Sequence, residues 1–236
     1  MKNYLKNLIS EGEHIRQDFK YAINDSRKIA RSLAAFANTE GGRLLVGVKD
    51  NGRIAGVSSD EEFYMVDAAA KRFCRPPVVF ESREHELDGK TVVEIIVPRS
   101  DKKPHKAPTK DGKYKVYVRV KDQNLLANQI LLKVWMRQRK NKGTFFQLKE
   151  PEQLLLTWLN NEDQYITHSK FSRIAGISRK KAENTLVNLI VLGIIDIKLT
   201  ENGAYYFLRE PSIQRKKEEN KKTFSDSNQS KKRLVP

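Results

Sequence analysis

Glu13, Asp18 and Asp50 are the residues of this chain whose types and spacing best suit chemistry. The first two lie in EHIRQDFK, ahead of a basic helical stretch, and the third closes the apolar run RLLVGVKD that follows it. Three carboxylates converging on one point would hold a divalent cation, magnesium or manganese, that polarises a phosphate and activates water. The competing reading makes them ordinary surface acids at strand ends. Asp50 in particular opens Asp50-Asn51-Gly52, where a turn uses Asp for local hydrogen bonds.

The elements that would position these acids are read from periodicity. A short leading helix is expected over 3–9. Ile15 to Phe19 suits a strand, with Ile15, Gln17 and Phe19 on one side. Asp25 or Ser26 can cap a helix whose stripe is Ile29, Leu33, Phe36 and Ala37. Gly41 and Gly42 read as its left-handed stop and a tight entry to a buried strand, Leu44 to Val48, with Ile54 beyond the turn. A helix from Ser59 or Asp60 stops at Pro76-Pro77, and 78–87 and 91–97 form a hairpin about Asp88-Gly89. A Lys- and Pro-rich loop (99–113), a strand (114–120) and a basic amphipathic helix (125–139) complete a first domain, 1–140. The order β-α-β-β-α-β-β-β predicts an α+β fold.

The quoted motifs resemble the Schlafen AlbA-like family. Its pattern is roughly Glu-x4-Glu-Phe-Lys, then Ala-Phe-Ala-Asn-Thr-x-Gly-Gly, then Gly-Val-x-Asp. Glu13, Asp18, Phe19, Lys20, the run Ala35 to Thr39, Gly41, Gly42, Gly47, Val48 and Asp50 match it, and so do Tyr117, Arg119, Asn124 and Ala127 further on. The resemblance implies nucleic-acid binding and, as in some animal members, RNA cleavage by the matching acids. Lys20, Arg43 and Arg119 are then the expected nucleic-acid contacts of this domain, although Arg119 suits an intradomain carboxylate equally well. The second acid is Asp18 where the family has Glu, which shortens its reach by one methylene.

After a linker (141–150), helices are expected over 152–159, 167–175 and 178–192, then two strands about Glu201-Asn202-Gly203. This second domain, 151–209, resembles the winged helix-turn-helix family, most of all in IAGISRKKAENTLVNLIVLGIID. Ala182, Leu186, Leu189 and Ile190 form the inner stripe of its last helix. Arg179, Lys180, Lys181, Asn184 and Asn188 are its expected nucleic-acid contacts, with Asn184 suited to adenine. Val187 and Val191 are apolar residues expected among the outward positions, which leaves a protein-interaction role open. Residues 210–236 are Lys-, Glu-, Ser- and Asn-rich and are read as a disordered basic tail.

Composition excludes several classes. The net charge is +16, from 45 Lys plus Arg against 29 Asp plus Glu, which favours a polyanionic partner. Leu189 to Ile195 is the longest apolar run, short of the roughly 20 residues of a spanning helix, and the N-terminal text lacks a signal-peptide core. One cysteine, Cys74, permits no intrachain disulfide and reads as a buried structural thiol. His14, His85, His105 and His168 have no metal-ligand spacing. No Walker loop occurs, and Gly41-Gly42 follows a helix where a phosphate loop precedes one, so ATPase chemistry is not expected.

The resulting expectation is a cytoplasmic, two-domain transcriptional regulator that binds DNA, or RNA as the other polyanion, without a membrane or a cofactor, and with scope to form a homodimer. The alternative is a metal-dependent endoribonuclease or deoxyribonuclease using Glu13, Asp18 and Asp50. A protein-binding scaffold is the third reading.

Overall fold

A computed structural model describes residues 2–140, 147–161 and 164–209. The expected disordered tail and most of the expected linker lie outside the described residues. The chain divides into two compact units, Met1–Arg139 and Lys140–Pro236.

The first unit is a mixed α/β fold. Its elements are α1 (Lys2–Glu11), β1 (Gln17–Lys20), α2 (Ser26–Asn38), β2 (Gly42–Val46), α3 (Ser59–Arg72), β3 (Glu81–Leu87), β4 (Lys90–Val97), β5 (Lys106–Pro108), β6 (Tyr114–Val120), β7 (Gln123–Leu126) and α4 (Gln129–Arg139). One sheet runs β1-β2-β4-β3, with β1 parallel to β2 and the other pairs antiparallel. A second, antiparallel sheet runs β5-β6-β7.

Alternation along the strands sorts two cores. Leu44 and Val46 of β2, with Val93, Ile95 and Val97 of β4, join Ile29, Leu33 and Phe36 of α2 and Val66, Ala69 and Ala70 of α3. The intervening residues Phe19, Leu45 and Val92 pack on Leu5 and Leu8 of α1. This is the period of two that puts neighbouring strand residues on opposite faces. The α2 helix also packs on β5 and β6, so ten of its residues, Ser26 to Asn38, are buried.

Caps and turns follow from local chemistry. Asp25 accepts a hydrogen bond from the Arg27 amide at the start of α2. At its end, Gly41 donates from its amide to the Phe36 carbonyl at 2.9 Å, with φ +78°. Gly41 therefore makes the left-handed stop, whereas Gly42 already opens β2. A Cβ at Gly42 would collide with the Phe36 ring and stand 2.9 Å from the Arg16 carbonyl oxygen. The Asp88-Gly89 hairpin turn has φ of 53° and 70°, as a two-residue hairpin loop requires.

Several expectations need correction. β1 begins at Gln17, and Ile54 makes only an isolated bridge to Val48. The Lys- and Pro-rich loop contains β5, a strand too short to show periodicity but paired along β6. The basic helix starts at Gln129 because 123–126 pair with β6 as β7. The middle of β6 is covered on both faces: Val116 to Arg119 are all buried, and Lys115 is exposed.

The second unit contains α5 (Glu150–Asn161), α6 (His168–Ile174), α7 (Arg179–Val191), β8 (Ile195–Thr200) and β9 (Gly203–Leu208), the last two an antiparallel hairpin. Leu155, Leu159, Phe171, Leu186, Leu189, Ile195 and Tyr206 are buried in it. Thr167 and Ser178 cap α6 and α7 through their hydroxyls. Val187, expected to face outward, is fully buried: α7 lies against α5, α6 and β8, so its apolar stripe is wider than packing on a single helix needs.

Candidate functional site

β1 and the turn that leads into it bring Glu13, Asp18 and Lys20 together. Parallel register sets Asp18 beside Leu44 and Lys20 beside Val46. Glu13, in the loop before β1, accepts a hydrogen bond from the Phe19 amide at 2.8 Å. Its carboxyl also hydrogen-bonds with that of Asp18. Two carboxyl groups in that relation disfavour simultaneous ionisation, so one is held up and the other down. Burial, reinforced by the Asp18 hydrogen bond, pushes Glu13 up to about 7 against the opposing Phe19 amide and Lys20. Burial also raises Asp18, but the Glu13 hydrogen bond, Lys20 and Arg119 outweigh it and hold Asp18 below its ordinary value.

Cations hold both Asp18 oxygens. Lys20 Nζ lies 2.8 Å from Asp18 Oδ2, and an Arg119 guanidinium nitrogen lies 3.3 Å from Oδ1. Arg119 also donates to the Gln17 carbonyl and the Asn124 side chain, and covers the Phe36 ring at 5.2 Å. Its side chain is 1% exposed, so of the two roles open to Arg119, the geometry displays the carboxylate partner. Arg43 is engaged too: it stands 3.4 Å from Glu94, a fully buried carboxylate that also accepts from the Tyr4 hydroxyl and meets His85 at 2.8 Å.

Asp50 does not join this cluster. It is exposed, in the turn that Asn51 and Gly52 continue. Among the described residues no three His, Cys, Asp or Glu side chains are grouped so as to hold a metal ion. Glu13 and Asp18 are thus two carboxylates without a third, and both Asp18 oxygens are already taken by Lys20 and Arg119, short of the oxygen set that a divalent ion takes.

The Asn38 and Thr39 side chains of AFANT brace the site from behind. Asn38 donates to the His105 and Tyr117 carbonyls at 2.8 Å and accepts from the His105 amide at 2.7 Å. Thr39 Oγ1 accepts from the Arg119 amide at 2.9 Å, which fixes the strand that carries Arg119. Cys74 is buried, and burial pushes its thiol up to about 12, which makes it inert.

In the second unit α7 divides sharply. Ala182, Thr185, Leu186, Val187, Leu189 and Ile190 are buried, and the Thr185 hydroxyl donates to Glu152 at 3.0 Å. Arg179, Lys180, Lys181 and Asn184 are exposed and Asn188 is half-buried.

Residues 13–128 match the Schlafen, AlbA_2 family. The match begins at Glu13 and spans the acidic pair, the glycine turn and β7. The Schlafen, AlbA_2 segment points to nucleic-acid binding in general. Two solved structures are similar. The DIP2311 protein from Corynebacterium diphtheriae is 19% identical at a TM-score of 0.42, over 61% of this chain and 32% of that one. The chain thus spans about a third of that protein's length. The N-terminal domain of a RecG-related protein from Nitrosomonas europaea is 23% identical at 0.41, over 54% of this chain and 94% of that one. No curated protein matches the chain.

Two residues at the ends of β1 and β2 were not singled out from sequence, Tyr21 and Lys49, whose ammonium lies 5.3 Å from the Tyr21 ring centre. The signal was positional: each lies just beyond the end of a parallel strand.

Proposed function

We propose that this protein is a cytoplasmic DNA-binding transcriptional regulator whose second unit is a winged helix-turn-helix. The exposed face of α7 carries the proposal. A recognition helix needs one firmly packed side and one polar side that can enter the major groove. Arg179, Lys180 and Lys181 lie in the first turn of α7, where backbone amides and the helix dipole also favour phosphate. Asn184, one turn on, has the amide fork that reads adenine. Val187 is buried, which takes one of the two outward apolar residues out of this face, and Val191 is half-buried. The net charge of +16 adds sequence-independent attraction. Among the described residues no helix is long and apolar enough to cross a membrane. A homodimer reading paired half-sites is part of the proposal.

The test is an anisotropy titration of the full chain against duplex DNA. Lys180→Ala weakens all duplexes alike, whereas Asn184→Ala relaxes preference at one base pair, worth about 1–3 kcal/mol of discrimination. Absence of duplex binding at low salt overturns the reading. The rival, hydrolysis through Glu13, Asp18 and Asp50 with magnesium or manganese, draws support from the adjacency of Glu13 and Asp18 alone. Metal-dependent cleavage of labelled RNA or single-stranded DNA, abolished by Glu13→Ala and by Asp50→Ala, would establish it.

A further inference from the structure

We propose that Tyr21 and Lys49 form a stacking platform for an unpaired base of single-stranded nucleic acid, just beyond the ends of β1 and β2. The proposal rests on the nucleic-acid reading above and adds a second binding mode, in the first unit.

The platform is built by the ends of two parallel strands. Beyond Lys20, the last residue of β1, Tyr21 emerges 59% exposed. The Gly47 and Val48 amides both donate to the Lys20 carbonyl, at 2.8 and 3.3 Å, which ties the end of β2 to the root of Tyr21. Lys49 follows at once and is held by its own tight turn. Its amide donates to the Arg53 carbonyl at 3.0 Å, its carbonyl accepts from Gly52 at 2.8 Å, and Gly52 takes φ +78° to close the loop. Lys49 Nζ thereby stands 5.3 Å from the centre of the Tyr21 ring. Ligands of open α/β sheets gather beyond the carboxyl ends of parallel strands, and these residues lie there.

The chemistry selects one partner. An exposed aromatic ring with a cation near it suits a base whose phosphate falls within reach of the ammonium. In a duplex the base faces are stacked on one another, so a side-chain ring can take only an unpaired base.

Anisotropy titrations of the full chain with oligothymidylate, oligouridylate, an abasic strand of equal length and a duplex test this. Tyr21→Ala is expected to weaken binding to the thymidylate or uridylate strand about tenfold, within the range set by removing one base–aromatic stack, and to leave duplex affinity unchanged. Wild-type protein is expected to bind the abasic strand as weakly as the Tyr21→Ala protein binds the base-bearing strands. Tyr21→Trp is expected to retain affinity, with the added indole fluorescence quenched on binding. Equal loss on base-bearing and abasic strands, or no loss on single strands, overturns the platform while the duplex reading stands. Failure of the wild-type chain to bind any of the four overturns both.

Discussion

The Arg119 guanidinium, on β6, stands 3.3 Å from Asp18 Oδ1, on β1, with both side chains buried. The pair links the second sheet to the edge of the first. Lys20 also holds Asp18, but Asp18 is the carboxylate that meets the buried Arg119, so removing it strands a cation in a dry site. Asp18→Asn is therefore expected to cost about 3–5 kcal/mol of stability. Adding Arg119→Met to that variant should recover part of the loss. Urea denaturation of both variants checks this, and strictly additive losses would contradict the coupling.

Glu13 gives the first unit a pH dependence. Its carboxyl is pushed up to about 7 in the folded state, from an ordinary 4.5. Below about 4.5 both folded and unfolded forms hold the proton, and no penalty arises. As pH rises toward 7 the unfolded chain releases it first, so stability is lost across that window and stays lost above it. Asp18 has the opposite sign: its stabilising ionisation is lost only in stronger acid. Glu13→Gln keeps the acceptor for the Phe19 amide and removes the titration. Melting temperature plotted against pH should show wild type falling relative to Glu13→Gln between pH 5 and 8. Parallel curves would contradict the raised Glu13 carboxyl.

The AFANTEGG text is predicted to be structural. Asn38→Ala would leave the His105 amide and two carbonyls without partners inside the core, at about 1–3 kcal/mol for each unsatisfied group. Gly42→Ala, pressed against the Phe36 ring, should cost about 1–3 kcal/mol by overpacking. Chemical denaturation measures both. Normal stability in either variant would leave the motif free for another role.

Much of this was legible in the sequence where local chemistry decides. Asp25 announced its helix because a short oxygen-bearing side chain satisfies the first free amides. Asp88-Gly89 announced its hairpin because both positions need positive φ. Pairing partners far along the chain were harder to read. β5 shows no alternation in three residues and exists through β6. Leu125 and Leu126 fit a helical stripe as well as a strand, and β6 decided between them. Val187 looked outward on a helix packed on one side, but α7 is packed on several. The acidic trio was legible only as three separate residues. The turn into β1 brought Glu13 to Asp18, while the turn after β2 carried Asp50 away.

The central claim, nucleic-acid binding through the exposed face of α7, is tested most directly by the salt dependence of duplex affinity in the full chain and in Arg179→Ala/Lys180→Ala/Lys181→Ala. The account predicts a linear fall of log K with log salt, and a slope shallower in the triple variant by about 0.9 for each phosphate that is no longer neutralised. Equal slopes and equal affinities in the two proteins would contradict it.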